Sequence, residues 1–233
     1  MQKRKIIFGI TCLIFFPMQG MLKYFWTGVS EEFNRQTAQE RKEIVSNLPD
    51  IKTKRFFLRK LRENDAQKLL SITSDNHVFA LGDIAQYETL EAAQEYVLTI
   101  LEQYKKGQTP FWMIEDLKNK EVVGLIRYPS INDAEGEASL DYMMRSEFGD
   151  SHVLEVANVA IEFVFNDLKL SSVKTSIDES NVSLSKILKD IGMKKGDRYG
   201  ENRRFYHILR GFQEKDYLFY KRLAVIPALF DNE

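Results

Sequence analysis

Glu137–Leu170, EASLDYMMRSEFGDSHVLEVANVAIEFVFNDLKL, changes its period half-way along, and that change decides the fold. In its first part Ala138, Leu140 and Tyr142 fall on one face and Ser139, Asp141 and Met143 on the other, the alternation of a half-buried strand. Arg145 to His152 reads as a short polar loop. Beyond it Leu154, Ala157, Val159, Ala160, Ile161, Val164 and Phe165 recur at helical spacing until Asn166 and Asp167 break the run. A strand feeding a helix through a short loop brings the free N–H groups of the first helical turn to the strand's end, where anionic ligands are often held.

The same reading extends outward. Towards the N-terminus, Phe111–Glu115 and Val122–Tyr128 are strands flanking a polar turn, Asp116–Lys120, and Pro129–Glu135 is a second turn. Thr89 caps a helix that runs to Lys106 and stops at Gly107. Ser74–Tyr87 reads as a loop carrying His77 and Asp83. Before it, Lys54–Leu61 is an alternating strand, and Asn64 or Asp65 caps a helix reaching Ile72. Towards the C-terminus, Ser172–Ile177 is a strand, and Asn181–Met193 is a helix closed by Gly192. The basic run Lys194, Lys195, Arg198, Arg203 and Arg204 reads as a solvated hairpin. Phe205–Leu209 and Asp216–Tyr220 supply the last two strands. The expectation is an α/β (α+β) domain over residues 51–223: a mixed, mostly antiparallel twisted sheet with helices on both faces, and a tail over 224–233.

Composition narrows the function. At 233 residues, 44% hydrophobic and 29% charged, the chain suits one domain with extensions. A net charge of −1 lacks the basic excess of an electrostatic nucleic-acid binder. One cysteine, Cys12, excludes an internal disulfide framework. The histidines, His77, His152 and His207, have no metal-ligand spacing, and no HExxH, CxxC, G-x-S-x-G or Walker loop occurs. Residues 1–28 stand apart: Lys3, Arg4 and Lys5 precede an apolar run from Ile6 to Phe16, interrupted by Pro17. That is a signal- or anchor-like arrangement without a small-x-small cleavage site, and it is also compatible with a later start at Met18 or Met21. A membrane contact through residues 6–22 and an anchored or exported domain follow from the first reading, a cytoplasmic protein from the second. Residues 29–50 form a charged helical linker, with Ser30–Asn47 as the helix and Pro49-Asp50 as its end.

Several of these segments resemble the GNAT superfamily of N-acetyltransferases, in particular its RimJ/RimL-like branch, which acetylates ribosomal-protein N-termini. Arg55, Leu58, Arg59, Leu61, Asp65 and Ala66 are similar to that branch's opening strand and helix cap. Gly124 matches a strand glycine, and Tyr142-Met143-Met144, Glu147-Phe148 and Ala157 match the central strand, loop and helix. Asn181 to Gly192 resembles the second signature without a gap, although Leu184 and Leu188 stand where many members have serine and a tyrosine acid. The loop departs from the pattern. Its consensus is Gln or Arg, two variable residues, Gly, one variable residue, then Gly or Ala; those places fall on Gly149, Asp150, Ser151, His152, Val153 and Leu154, and none of the defined ones matches.

The resemblance implies acetyl-CoA as cofactor and an amine as acceptor, on a protein N-terminus or a small molecule. It places the backbone N–H groups of Met143 and Met144 at the thioester and Gly149 to Leu154, with Asn181, at the cofactor. A base is available from Asp141 or Glu137, which share a face by strand period, or from water alone; Asp141 is the candidate taken here, and Ser139 stands at the position at which the family often has glutamate. Asp150 would set a carboxylate against the cofactor's phosphates, and a protonated His152 would offset it. Two functions remain open: an N-acetyltransferase, or a binding or scaffold protein that keeps the fold without the cofactor loop.

Overall fold

In the computed structural model, residues 37–75, 78–199 and 202–210 are described. The chain divides into residues 1–41 and 42–233; of the first unit residues 37–41 are described and are helical. The apolar segment 1–28, the start of the Ser30–Asn47 helix, His77, the strand expected at Asp216–Tyr220 and the tail 224–233 lie outside the described residues. None of the described helices is long and apolar enough to cross a membrane.

Among the described residues one sheet holds β1 (Ile51–Lys52), β2 (Phe56–Lys60), β3 (Val78–Leu81), β4 (Phe111–Asp116), β5 (Val122–Asn132), β6 (Glu137–Arg145), β7 (Ser172–Asp178), β8 (Lys194–Tyr199) and β9 (Arg203–Leu209). Its order is β1-β2-β4-β5-β6-β7-β9-β8, with β3 paired to β6. Every pairing is antiparallel except β6 with β7, which run parallel where Glu137, Ala138 and Ser139 face Ser172, Val173 and Lys174. The helices are α1 (residues 37–46), α2 (Ala66–Thr73), α3 (Leu90–Lys105), α4 (Asp150–Asn166) and α5 (Val182–Asp190).

The period of two sorts the side chains into two layers. From one face, Phe111 meets Tyr96 of α3 edge-on and Arg127 reaches the Tyr96 hydroxyl. From the other, Trp112 stands against Phe163 of α4 with ring centres 4.9 Å apart, and Tyr128 Oη donates to the Ala160 carbonyl at 2.7 Å. The alternating face of Ala138, Leu140 and Tyr142 is buried as expected. The opposite face is buried too, since Asp141 and Met143 are at most 5% exposed; β6 is a central strand with cover on both sides.

Three local expectations change. Pro129 lies inside β5, which runs on to Asn132; a register shift between Arg127 and Ser130 takes up the residue that cannot donate to the ladder. The Arg145–His152 loop is shorter than read, because α4 begins at Asp150 with Gly149 as its N-cap. The Ser74–Tyr87 segment contains β3, a strand that pairs Val78, Phe79, Ala80 and Leu81 with Arg145, Met144, Met143 and Tyr142.

A buried ion cluster ties the start of α2 to the sheet. Arg59, 1% exposed, donates to Asp65 at 2.7 and 2.9 Å and to Glu115 at 2.7 Å, while Asp65 also accepts from the Arg62 amide at 2.9 Å. Burial alone would raise the Asp65 carboxyl; the hydrogen bonds from Arg59 and Arg62 outweigh it and hold it below the usual carboxylate range.

Candidate functional site

The parallel pairing of β6 and β7 stops after Ser139 and Lys174, and the two strands part. At that point a cavity of about 300 Å³ is lined by Ser139, Asp141, Arg127, Ser130, Thr175, Ser176, Gly82 and Asp83, among others. The strand register explains its central pair. Arg127 and Asp141 are direct cross-strand partners in the β5–β6 hairpin, and Arg127 Nε and Nη2 lie 2.9 and 2.7 Å from Asp141 Oδ2. The Tyr96 hydroxyl accepts from Arg127 Nη1, and the Asp83 carbonyl from Nη2 at 2.9 Å. The other carboxylate oxygen, Oδ1, accepts the Asp83 amide at 3.3 Å. Burial pushes the Asp141 carboxyl up, and Arg127 with the Asp83 amide pulls it only part of the way back.

Around this pair charged and hydroxyl side chains share the cavity wall with Pro129, Leu140 and Phe205. Lys174 pairs with Glu137, and Arg203 with Asp83 at 3.1 Å. Thr175, 3% exposed, has a buried hydroxyl without a hydrogen-bond partner among the described residues. Ser139 is half-buried on the rim. Asp141 and Ser139 therefore share one cavity. Sequence reading missed Arg127, Tyr96, Ser176 and Arg203; only the Arg127–Asp141 pair left a signal, through the hairpin register.

The residues assigned to the cofactor lie in three places. Met143 and Met144 are buried in β6 between β5 and β3. Gly124, opposite Met144, is required there: a Cβ on it would lie 2.4 Å from the Met143 carbonyl oxygen. Gly149, Asp150, Ser151, His152, Val153 and Leu154 are the N-cap and first turn of α4, with open space above Gly149. Asn181 caps α5, its Oδ1 accepting the Leu184 amide at 3.0 Å.

The start of α4 is held from β2. Arg55 Nε donates to Glu155 at 2.6 Å, Nη2 to the Ser151 carbonyl at 3.0 Å, and Nη1 lies 3.2 Å from His152 Nε2. Arginine only donates, so this imidazole nitrogen accepts. His152 stacks edge-on with Phe56 and Phe148 beside a second cavity of about 490 Å³. His152 is thus engaged with Arg55 and two phenylalanines.

An extended thioester ligand needs a free edge of β6 to reach the Met143 and Met144 main chain. As the chain stands that edge carries β3. The first-turn amides of Asp150 and Ser151 suit a phosphate; the filled edge of β6 does not suit the rest of acetyl-CoA. Among the described residues no group of three metal-ligating side chains forms a metal site.

The central parallel pair of this mixed sheet thus parts beside the N-terminus of α4. The chain matches the family described as Acetyltransferase (GNAT) domain over residues 55–194 and belongs to it. It is 23% identical over 149 residues to the uncharacterized N-acetyltransferase YoaA of Bacillus subtilis, covering 64% of this chain and 84% of that protein. Among solved structures it resembles RimL, a ribosomal L7/L12 alpha-N-protein acetyltransferase in complex with coenzyme A (TM-score 0.60, 13% identity, 69% of this chain and 98% of that one). A SpeG spermidine N-acetyltransferase variant of Vibrio cholerae is similar as well (TM-score 0.57, 15% identity, 67% of this chain and 95% of that one). Both likenesses concern the fold, and the family uses acetyl-CoA.

Proposed function

We propose that the chain is an acetyl-CoA-dependent N-acetyltransferase whose acceptor is an amine, at a protein N-terminus or on a small molecule. The observation that carries this reading is the cavity at the parting of β6 and β7, built around Asp141 in a chain of the acetyltransferase family. An amine attacks only when neutral, and a buried carboxyl raised above its ordinary range is a better proton acceptor than a solvated one. Asp141 takes that role, Arg127 fixes its orientation, and Ser139 and Thr175 offer hydroxyls to the acceptor. The α4 start, Gly149 to Leu154, is assigned to the cofactor's phosphates, the main chain of Met143 and Met144 to its reactive end, and Asn181 to its flank. A cytoplasmic location goes with this reading, because that is where acetyl-CoA is found.

One observation favours a second reading, a GNAT-fold binding or scaffold protein that has lost CoA binding: β3 fills the edge of β6. Turnover separates the two. The full chain is incubated with acetyl-CoA and a panel of free-N-terminal peptides and polyamines, with thiol release and product mass as readouts. Acetylated product that disappears in Asp141→Asn supports the enzyme; no product from any amine overturns it. Thermal unfolding gives a parallel check, since a ligand at about 100 times its Kd that binds only the folded state stabilises by about 2.7 kcal/mol.

A further inference from the structure

β6 has two edges. β5 covers one from Glu137 to Met144; on the other, β7 pairs with Glu137, Ala138 and Ser139, and β3 with Tyr142, Met143, Met144 and Arg145. Successive strand residues direct their N–H groups to opposite edges, so of the Met143 and Met144 amides one faces β5 and the other faces β3. Neither faces open space. The segment after β3 continues across the gap, where the Gly82 amide donates to the Ser176 carbonyl of β7 at 2.8 Å. The wedge opened by the parting of β6 and β7 is thus filled by a strand of the same chain.

That strand is held differently from its neighbours. Phe111, Trp112, Met113 and Ile114 of β4 are fully buried, whereas Val78, Phe79 and Ala80 are only partly buried where they pack on the core, and Leu81 alone of the four is fully buried. Its fixed point is the polar end. Arg203 Nη2 donates to the Gly82 carbonyl at 2.8 Å and Nη1 pairs with the Asp83 carboxylate at 3.1 Å. Arg127 Nη2 donates to the Asp83 carbonyl at 2.9 Å. Four residues in ladder with β6 alone among the described strands, three of them partly exposed and fastened by polar contacts at one end, make a smaller unit to open than the fully buried strands beside them.

We infer that residues 78–83 are an intramolecular plug that occupies the cofactor's edge of β6 and must leave before acetyl-CoA binds. The inference rests on the acetyltransferase reading above, and it turns the filled edge from an objection into a gate. The binding-competent form is the unplugged one, so apparent affinity is reduced by the fraction of molecules in which the plug is out. Whatever draws residues 78–83 away, an acceptor in the neighbouring cavity included, raises affinity for the cofactor by the same linkage.

A cross-link tests this. Val78 and Arg145 are cross-strand partners at the end of the β3–β6 ladder, and such pairs have Cα atoms about 4.5–5.5 Å apart, within reach of a disulfide. The full chain carrying Val78→Cys and Arg145→Cys, with Cys12→Ser, is titrated with acetyl-CoA by calorimetry, oxidised and reduced. Arg203→Ala, which removes the main pin, is titrated beside the parent, and hydrogen exchange at residues 142–145 is followed in each. The expected result is at least about tenfold weaker binding when oxidised than when reduced, and about tenfold tighter binding with faster exchange in Arg203→Ala. Equal affinity in the oxidised and reduced forms overturns the plug and leaves the cofactor reading intact. Failure of the pair to oxidise overturns the β3–β6 register on which the plug depends. No binding by the parent, the reduced pair or Arg203→Ala at millimolar acetyl-CoA overturns the cofactor reading and the plug together.

Discussion

Gly82→Ala is the most demanding single substitution at the site. Gly82 has φ +77°, and a Cβ there would lie 1.9 Å from Asp141 Oδ1, 2.7 Å from its Cγ and 3.1 Å from its Cα. The left-handed backbone alone costs a residue with Cβ about 1–2 kcal/mol. The contact must then be relieved in one of two ways. If Asp141 swings aside, Arg127 loses its carboxylate in a site where Asp141 is 5% exposed, and breaking a buried pair costs about 3–5 kcal/mol. If residues 78–83 lift off, the hydrogen bonds of Gly82 and Asp83 are lost, each worth about 0.5–1.5 kcal/mol. With the backbone strain the first route amounts to a loss of about 4–7 kcal/mol and the second to about 3–8 kcal/mol. For a domain of this size, at about 2–4 °C per kcal/mol, Tm falls by at least roughly 6 °C. Thermal unfolding by circular dichroism measures the fall, and amide exchange identifies the route. Lifting speeds exchange at Met143 or Met144 while the β4–β5 ladder stays protected. A Tm within about 2 °C of the parent, with unchanged exchange, refutes the close approach of Gly82 to Asp141 and the strand placement that follows from it.

Three further outcomes follow from the same geometry. Asp65→Ala leaves Arg59 short of its bidentate partner and costs about 3–5 kcal/mol at neutral pH by urea unfolding; a cost below about 1 kcal/mol, the size of an exposed pair, counts against the buried cluster. Because Asp65 is held below its ordinary pKa, its contribution is present above the unfolded carboxyl range and lost as pH falls through the folded value; the gap between variant and parent therefore narrows below about pH 4, and a gap that widens in acid refutes the assignment. Gly124→Ala sets a methyl 2.4 Å from the Met143 carbonyl oxygen and 3.0 Å from the Met144 Cα, both backbone atoms, and is expected to cost about 1–3 kcal/mol or more, seen as a lowered denaturation midpoint with unchanged slope. Asp141→Asn removes the charge opposite Arg127 and lowers kcat at least about tenfold, with a pH profile flattened relative to the parent; an unaltered profile removes Asp141 from the chemistry.

The parts that the sequence disclosed are those in which period and position agree. The switch from alternation to helical spacing between Glu137 and Leu170 gave β6 and α4, and Thr89 caps α3 as expected, its Oγ1 accepting the Ala92 amide. What stayed hidden depends on neighbours remote in the chain. Val78-Phe79-Ala80-Leu81 is short and does not alternate; it is a strand because β6 offers it an edge, which no local pattern records. Pro129 argued for a turn, and a register shift keeps it within β5. His152 reads as a loop residue near phosphates until Arg55, nearly a hundred positions earlier, is seen beside it. Of the site, the Asp141 position was legible and its electrostatic setting was not, although pairing Arg127 with Asp141 required only the hairpin register.

The pin at Gly82 has a consequence for the order in which the protein is made. Arg203 belongs to β9, the last described strand, which lies between β7 and β8 and is linked to the rest of the described sheet through β7. A nascent chain that has emerged as far as α5 has already completed β6 and β7, yet lacks the residue that fastens residues 78–83 between them. At about 5–20 residues per second the uncovered edge persists for seconds on the ribosome. Unpaired edges recruit other strands. Ribosome-bound chains stalled before residue 203 should therefore be more prone to edge-to-edge association than chains stalled after residue 210, and the same arginine that restrains the finished domain also ends its exposure during synthesis.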